Sequence, residues 1–418
     1  MVTGRLIAAQ ILALTALTIL PSPAFSHPHD PQDSTATAAV DSAEAVPQRD
    51  FGDLARVILR RPVRTDVVEE LRPGLSLTVL PSVGYNAAYG AYAGASVSLG
   101  GWLGNPKTTS LSSGAAGATY STEGQLSIQF RSDFYLPDDQ WALKLDWRYL
   151  DTSQPTYGLG PSHPDRPEYP MDFVLYRSYQ TLYKRVSSSP VYFGIGYHFD
   201  RYDEIRDERA ELGEITPYVA YSGGAPTRAQ LSALSANVLV DTRDRAIDAR
   251  RGMFWNASLR SYMEGLGSDE NSQSLWSDFR SFKQMPWKSR PNVLAIWSYL
   301  WFTFGNSPYL DLPAIGWDTY GRSGRGYVQG ELRGTNQVYV EAEYRMRFTD
   351  DGLWGGVVFA NASGTTSVPG GTFERLDPGG GAGLRLKFNK RTSTNLAADV
   401  AVGRSRTSRI FLGLQETF

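Results

Sequence analysis

Residues 337–348 read QVYVEAEYRMRF, and their alternation decides the fold. Val338, Val340, Ala342, Tyr344, Met346 and Phe348 fall on one side of an extended chain, with Gln337, Glu341, Glu343, Arg345 and Arg347 on the other. Such a strand does not fit between two packed sheets, because its charged row would be cut off from water. It suits a wall with hydrocarbon outside and a wet, polar interior. The pattern recurs upstream. In 125–136, Leu126, Ile128, Phe130, Phe134 and Leu136 alternate with Gln125, Ser127, Gln129, Arg131 and Asp133; in 141–149, Trp141, Leu143, Leu145, Trp147 and Tyr149 alternate with Ala142, Lys144, Asp146 and Arg148.

Working outward, period-two segments fall at 75–86, 90–103, 107–120, 123–136, 140–152, 171–186, 189–203 and 231–242, then at 252–263, 272–285, 292–304, 335–348, 354–363, 379–390, 395–404 and 408–418. The sixteen strands predict an all-β fold, a 16-stranded antiparallel transmembrane β-barrel of the outer membrane over 75–418, closed by pairing 75–86 with 408–418. Each strand with its connection has about 21 residues, ample for a tilted span of roughly 9–11. Long connections, 153–170, 204–230, 305–334 and 364–378, follow odd-numbered strands, whereas Ser187-Ser188 and Thr349 to Leu353 follow even ones. That parity places both termini in the periplasm of a Gram-negative bacterium. An exported sandwich would need neither Trp and Tyr near so many strand ends nor a chain ending on Phe418.

The N-terminus supplies the compartment. Arg5, the apolar run Leu6 to Leu20, Pro21, Pro23 and Ala24-Phe25-Ser26 read as a signal peptide over 1–26, too short to span a bilayer as a helix. Residues 27–50 read as a disordered periplasmic linker, poor in large apolar groups. His27-Pro28-His29 is a solvated tail on this reading, since Pro28 lacks the amide that an amino-terminal metal chelate would deprotonate. Residues 51–74 read as a short amphipathic helical segment, with Leu54, Val57 and Ile58 at helical spacing and Val67, Val68 and Leu71 beyond Pro62.

Composition narrows function further. A net charge of −2 gives no basic field for nucleic acid, and zero cysteines removes disulfides, thiol catalysis and Cys-ligated zinc. No Gly-x-Ser-x-Gly elbow occurs, His163 lies in a Pro-rich loop, and His198 faces inward beside Asp200 without a marked nucleophile, so no enzyme, cofactor or metal is expected. Gly321 to Gly326 does not follow a buried strand or open a helix, and Asp350-Asp351 reads as a solvated turn.

Several segments resemble the barrel of the BamA/TamA superfamily, the bacterial surface antigen family of outer-membrane assembly factors. Leu80-Pro81-Ser82-Val83-Gly84-Tyr85-Asn86 with Tyr89-Gly90 is similar to that family's opening hairpin, and Asp241-Thr242-Arg243-Asp244 with Arg250-Arg251-Gly252 to its mid-barrel turn. Arg325-Gly326-Tyr327 resembles the signature of the sixth external loop, and Gly381 to Leu386 and Ile410 to Phe418 resemble the closing strands. No POTRA repeat fits in 27–74, so the chain resembles the single-barrel branch. The resemblance implies that the 305–334 loop folds inward and that Arg325 pairs with carboxylates on the next two strands. Glu343 corresponds to the first; the second falls at Asn361, an amide, with Glu341 or Asp399 as replacements and Asn361→Asp expected to tighten the loop. It also implies that Phe418, on one face with Ile410, Leu412 and Leu414, is a terminal signal read by the outer-membrane assembly machinery.

Three functions stay open at this point: client insertion or translocation through the seam between the first and last strands, a passive or gated pore, and a structural or surface-interaction barrel. The expected partners are outer-membrane lipids, lipopolysaccharide and the assembly machinery, with any client unidentified and the barrel a monomer.

Overall fold

The computed structural model describes residues 48–60, 73–86, 90–163, 165–246, 248–287, 290–368, 370–390, 393–404, 408–414 and 418. The expected signal peptide, most of the linker, and Val67, Val68 and Leu71 lie outside them. Sixteen strands follow in chain order: β1 (Gly74–Asn86), β2 (Gly90–Trp102), β3 (Ser112–Ser121), β4 (Leu126–Tyr135), β5 (Trp141–Thr156), β6 (Tyr169–Arg185), β7 (Val191–Asp207) and β8 (Ala229–Asp241). The second half holds β9 (Gly252–Tyr262), β10 (Ser272–Trp287), β11 (Arg290–Gly305), β12 (Asn336–Arg347), β13 (Trp354–Thr365), β14 (Asp377–Asn389), β15 (Thr394–Gly403) and β16 (Ser408–Leu414).

Each strand pairs antiparallel with its chain neighbours, in the order β1 to β16. Among the described residues no ladder joins β1 to β16, so the expected closing pairing of 75–86 with 408–418 is not found there. The strand expected from 107 starts at Ser112 instead. Residues 105–110 are held as a turn: Thr109 N donates to Asn105 O, and Ser110 N and Oγ donate to Asp139 on the neighbouring turn.

The sheet turns its apolar face outward. Leu77, Val79, Trp147, Leu182, Phe193, Leu234, Val340, Val358 and Ile410 are exposed, and Ile195 and Ile410 are each 75% accessible. An apolar belt of this kind on one face of a sixteen-stranded antiparallel sheet is the surface of a transmembrane β-barrel. No helix among the described residues is long and apolar enough to cross a membrane. The core therefore lies inside, where Trp276, Trp297, Tyr299, Trp301 and Tyr339 pack against Leu310, Leu312, Ile315, Trp317 and Leu332 of the β11–β12 connection.

The connections sort by rim. Residues 157–168, 208–228, 306–335 and 366–376 are long and share one rim, whereas 136–140, 186–190 and 348–353 are short turns at the other, which also carries the longer 103–111 and 242–251. At the short-turn rim sits α1 (Phe51–Ile58), started by an Asp50–Asp53 capping box. The face expected to pack is not the one that does. Val57 and Ile58 are exposed, while Phe51 stacks on Phe388 at 6.0 Å and Asp53 is buried against Lys390 Nζ at 2.9 Å. A specific ion pair and one ring anchor this helix, so its helical spacing did not report its buried side.

Candidate functional site: the inward loop and its ion cluster

The 306–335 connection folds into the lumen. Its ends are tied by Arg333, almost fully buried, which donates to the carbonyls of Tyr309 and Leu310 at 3.0 and 2.9 Å. Ile315 N donates to Leu332 O at 2.8 Å, and Gly330 N to Ile315 O at 2.9 Å, which narrows the loop into a finger. The finger is held from the wall: Trp317 Nε1 donates to Gln154 Oε1 at 3.1 Å, and Arg148 Nη2 donates to Thr319 O at 2.7 Å.

Arg325 reaches three carboxylates. Its Nη2 lies 2.5 Å from Glu341 Oε1 and 2.5 Å from Glu343 Oε2, and its Nη1 lies 2.8 Å from Asp399 Oδ2. Its Cζ sits 3.4 Å from the centre of the Phe359 ring. Glu341 and Glu343 are two residues apart on β12 and both point inward; Asp399 projects from β15. Glu343 also accepts from Arg345 Nε at 2.8 Å, and Asp399 from Arg385 Nη1 at 2.5 Å. Burial by itself pushes the Arg325 pKa down, but the charges of Glu341, Glu343 and Asp399 and the hydrogen bond to Glu341 more than reverse that, and it lies above the ordinary arginine value. The arrangement is an ionic clamp of one guanidinium on three carboxylates.

The neighbouring residues complete the clamp. Gly326 has φ +110°, and a Cβ there would stand 2.8 Å from Gly403 N, so only glycine lets the finger lie against the β15 backbone. The Tyr327 hydroxyl donates to Pro378 O at 2.5 Å and accepts from Arg404 N at 3.2 Å. Asn361, paired directly opposite Glu341 in the β12–β13 ladder, donates from Nδ2 to Arg325 O at 3.0 Å and to Glu341 Oε2 at 3.3 Å. That geometry reverses one expectation from the sequence. A carboxylate at 361 would face a carbonyl and another carboxylate, so Asn361→Asp should loosen the loop.

Phe418 needs a correction. Ile410 is exposed on the outer face as expected, but Phe418 is buried inside, 5.3 Å from Trp297 and 6.3 Å from Phe282. Its backbone O accepts from Arg345 Nη2 at 2.7 Å, and that guanidinium lies over its ring. A polar partner and two rings are available in the lumen, and strict alternation ends with β16 at Leu414. Sequence reasoning also missed Phe359, Arg385 and Arg333. Phe359 and Arg385 were findable as odd-numbered, inward positions on their strands; nothing local marks Arg333. The two histidines stay apart in role: His163 is in an exposed loop beside Asp165, and His198 is buried against Ser235.

These features define a transmembrane β-barrel whose longest connection is clamped inside it. A comparison with one solved structure agrees on the fold. CdiB from Acinetobacter baumannii aligns with a TM-score of 0.50 at 13% identity, over 81% of this chain and 59% of that one. CdiB from Escherichia coli gives 0.49 at 9% identity, over 85% and 66%, and BamA from Haemophilus ducreyi lacking POTRA domains 1–3 gives 0.47 at 17% identity, over 82% and 69%. The chain thus spans three-fifths to two-thirds of these neighbours' lengths. No family model and no curated protein matches the sequence.

Proposed function

We propose that this chain is an outer-membrane barrel of a Gram-negative bacterium, with both termini periplasmic, that assists the insertion or translocation of a client polypeptide at the seam between β1 and β16. Lipids, lipopolysaccharide and the assembly machinery that inserts the barrel itself are its partners on this reading, and the barrel works as a monomer. The supporting observation is the reach of Arg325: one guanidinium on the finger holds β12 and β15 together, so finger position and the end of the sheet are coupled. A seam beside such a clamp can open only as the clamp allows.

The chain has no cysteine, which makes the test clean. A cleavable bis-maleimide bridging Val79→Cys on β1 and Ile410→Cys on β16 should deplete a defined set of surface or secreted proteins, and cleaving the bridge should restore them. If the bridged barrel leaves that set unchanged while the protein conducts ions in planar bilayers, it is a pore instead.

A further inference from the structure

A second polar cluster lies in the lumen away from the clamp, around a cavity of about 90 Å³ lined by β4–β10 and the finger residues Thr319 and Tyr320. Its carboxylates are each engaged: Asp133 with Lys144 at 2.6 Å, Asp146 with Arg148 at 2.5 Å, and Asp278 with Arg280 at 2.7 Å. Arg243, also in its wall, is held by Asp241 at 2.7 Å. Arg260 is different. No carboxylate lies within ion-pair distance of it among the described residues, its Cζ rests 4.9 Å over the Tyr179 ring, and its Nε is buried without a hydrogen-bond partner. The loop's Asp311 is turned to Arg177 at 3.6 Å and does not line the cavity.

Two further orphans line the same space, Ser258 Oγ and His198 Nδ1, on side chains that are more than nine-tenths buried. Ser235 Oγ accepts from Asn237 Nδ2 at 2.8 Å and lies 2.8 Å from His198 Nε2. When the Ser235 hydroxyl turns its hydrogen to Nε2, the neutral ring carries its proton on Nδ1, as a donor toward the cavity. Three unmet groups, an Nε–H of a cation, an Nδ1–H and a hydroxyl, can all donate at once. Buried donors around an unpaired positive charge are costly unless something accepts from them.

We propose that this cavity is a binding site for one small monovalent inorganic anion of halide size, held by Arg260, Ser258 and His198. Water fits the volume but brings two hydrogens of its own into a site that already supplies donors. An anion takes all three and neutralises Arg260. Gly196 leaves Ser235 and Thr181 in place beside it: a Cβ there would stand 2.6 Å from Ser235 Oγ and 2.7 Å from Thr181 Oγ1. The site is independent of whether the seam opens.

The test uses the full chain in detergent and bromide as the probe. Crystals grown in sodium bromide should show an anomalous peak in this cavity. Melting should rise in a saturating way in chloride or bromide against gluconate at equal ionic strength, because a ligand bound only by the folded state stabilises it by mass action. Arg260→Met should abolish both signals and Ser258→Ala should weaken them. Ser258→Ala decides alone if Arg260→Met fails to fold. Ordered water with no anomalous peak, a peak without a solution shift (an adventitious ion only), or a shift that survives Arg260→Met would each overturn the proposal.

Discussion

Two walls of the same barrel are built from different residues. β2 reads GAYAGASVSLGGW and β3 SSGAAGATYS, whereas β11 reads RPNVLAIWSYLWFTFG. Facing the small wall is a cavity of about 350 Å³ lined by Ser82, Tyr92, Thr119, Ser121 and Gln129 among others. Along the aromatic wall the interior is packed with rings. Trp276 and Tyr339 each stack on Tyr299 at 5.1 Å, and the finger's apolar side lies on them. Inner side-chain volume thus decides where the finger rests. Rings supply area to bury and edges to pack against; serine and glycine leave room that water fills.

The comparison can be broken most sharply at the clamp. Arg325→Ala leaves Glu341, Glu343 and Asp399 together without their shared cation, and should cost about 3–5 kcal/mol, less where water enters. Melting of the folded barrel and trypsin cleavage after Arg322 report it. Glu343→Ala should cost less, because Arg325 keeps Glu341 and Asp399, and the double mutant should lose less than the sum. Equal, additive losses would show that the clamp does not act as a unit.

Next in size is Phe418→Ala, which removes a ring buried on the aromatic side and should lower stability by about 1.5–3 kcal/mol. Outer-membrane abundance measured beside melting separates this packing loss from a targeting defect: a fall in abundance with unchanged melting would assign the residue to targeting alone. Asn361→Asp should cost roughly 1–3 kcal/mol, since it replaces a donor by a charge facing acceptors. Tighter protection of the loop from protease in that variant would reverse the assignment of the amide.

The smallest effect belongs to the small wall. Gly117 on β3 has nothing closer than 3.7 Å to an added Cβ, so Gly117→Ala should be neutral or stabilise by about 0.5–1 kcal/mol. Gly383, opposite Asp399 in the β14–β15 ladder, has that carboxylate where a Cβ would go, so Gly383→Ala should be clearly destabilising. Equal melting of the two alanine variants would show that the room at an added Cβ does not decide the cost.

All sixteen strands were legible because a lipid-facing row and a polar row impose a period of two that few other environments demand. The clamp was legible too: Arg325 and Glu343 were named from a resemblance, with Glu341 or Asp399 as the replacement carboxylate, and all four meet. That both replacements are used depends on distance in space. Asp399 is 74 residues from Arg325, and its approach follows from three further strand pairings that bring β15 beside the finger.

By itself, then, the sequence determined the alternation, the number of strands, the order in which they pair and the connection long enough to enter the lumen, since each is set by neighbours along the chain. Only the tertiary structure decided which carboxylates share Arg325, that Asn361 acts as a donor, that Phe418 turns inward and that Arg260 is left without an acidic partner. Those outcomes depend on how side chains from non-adjacent strands fill one enclosed volume, where burial makes each unpaired charge or donor expensive and so selects the arrangement.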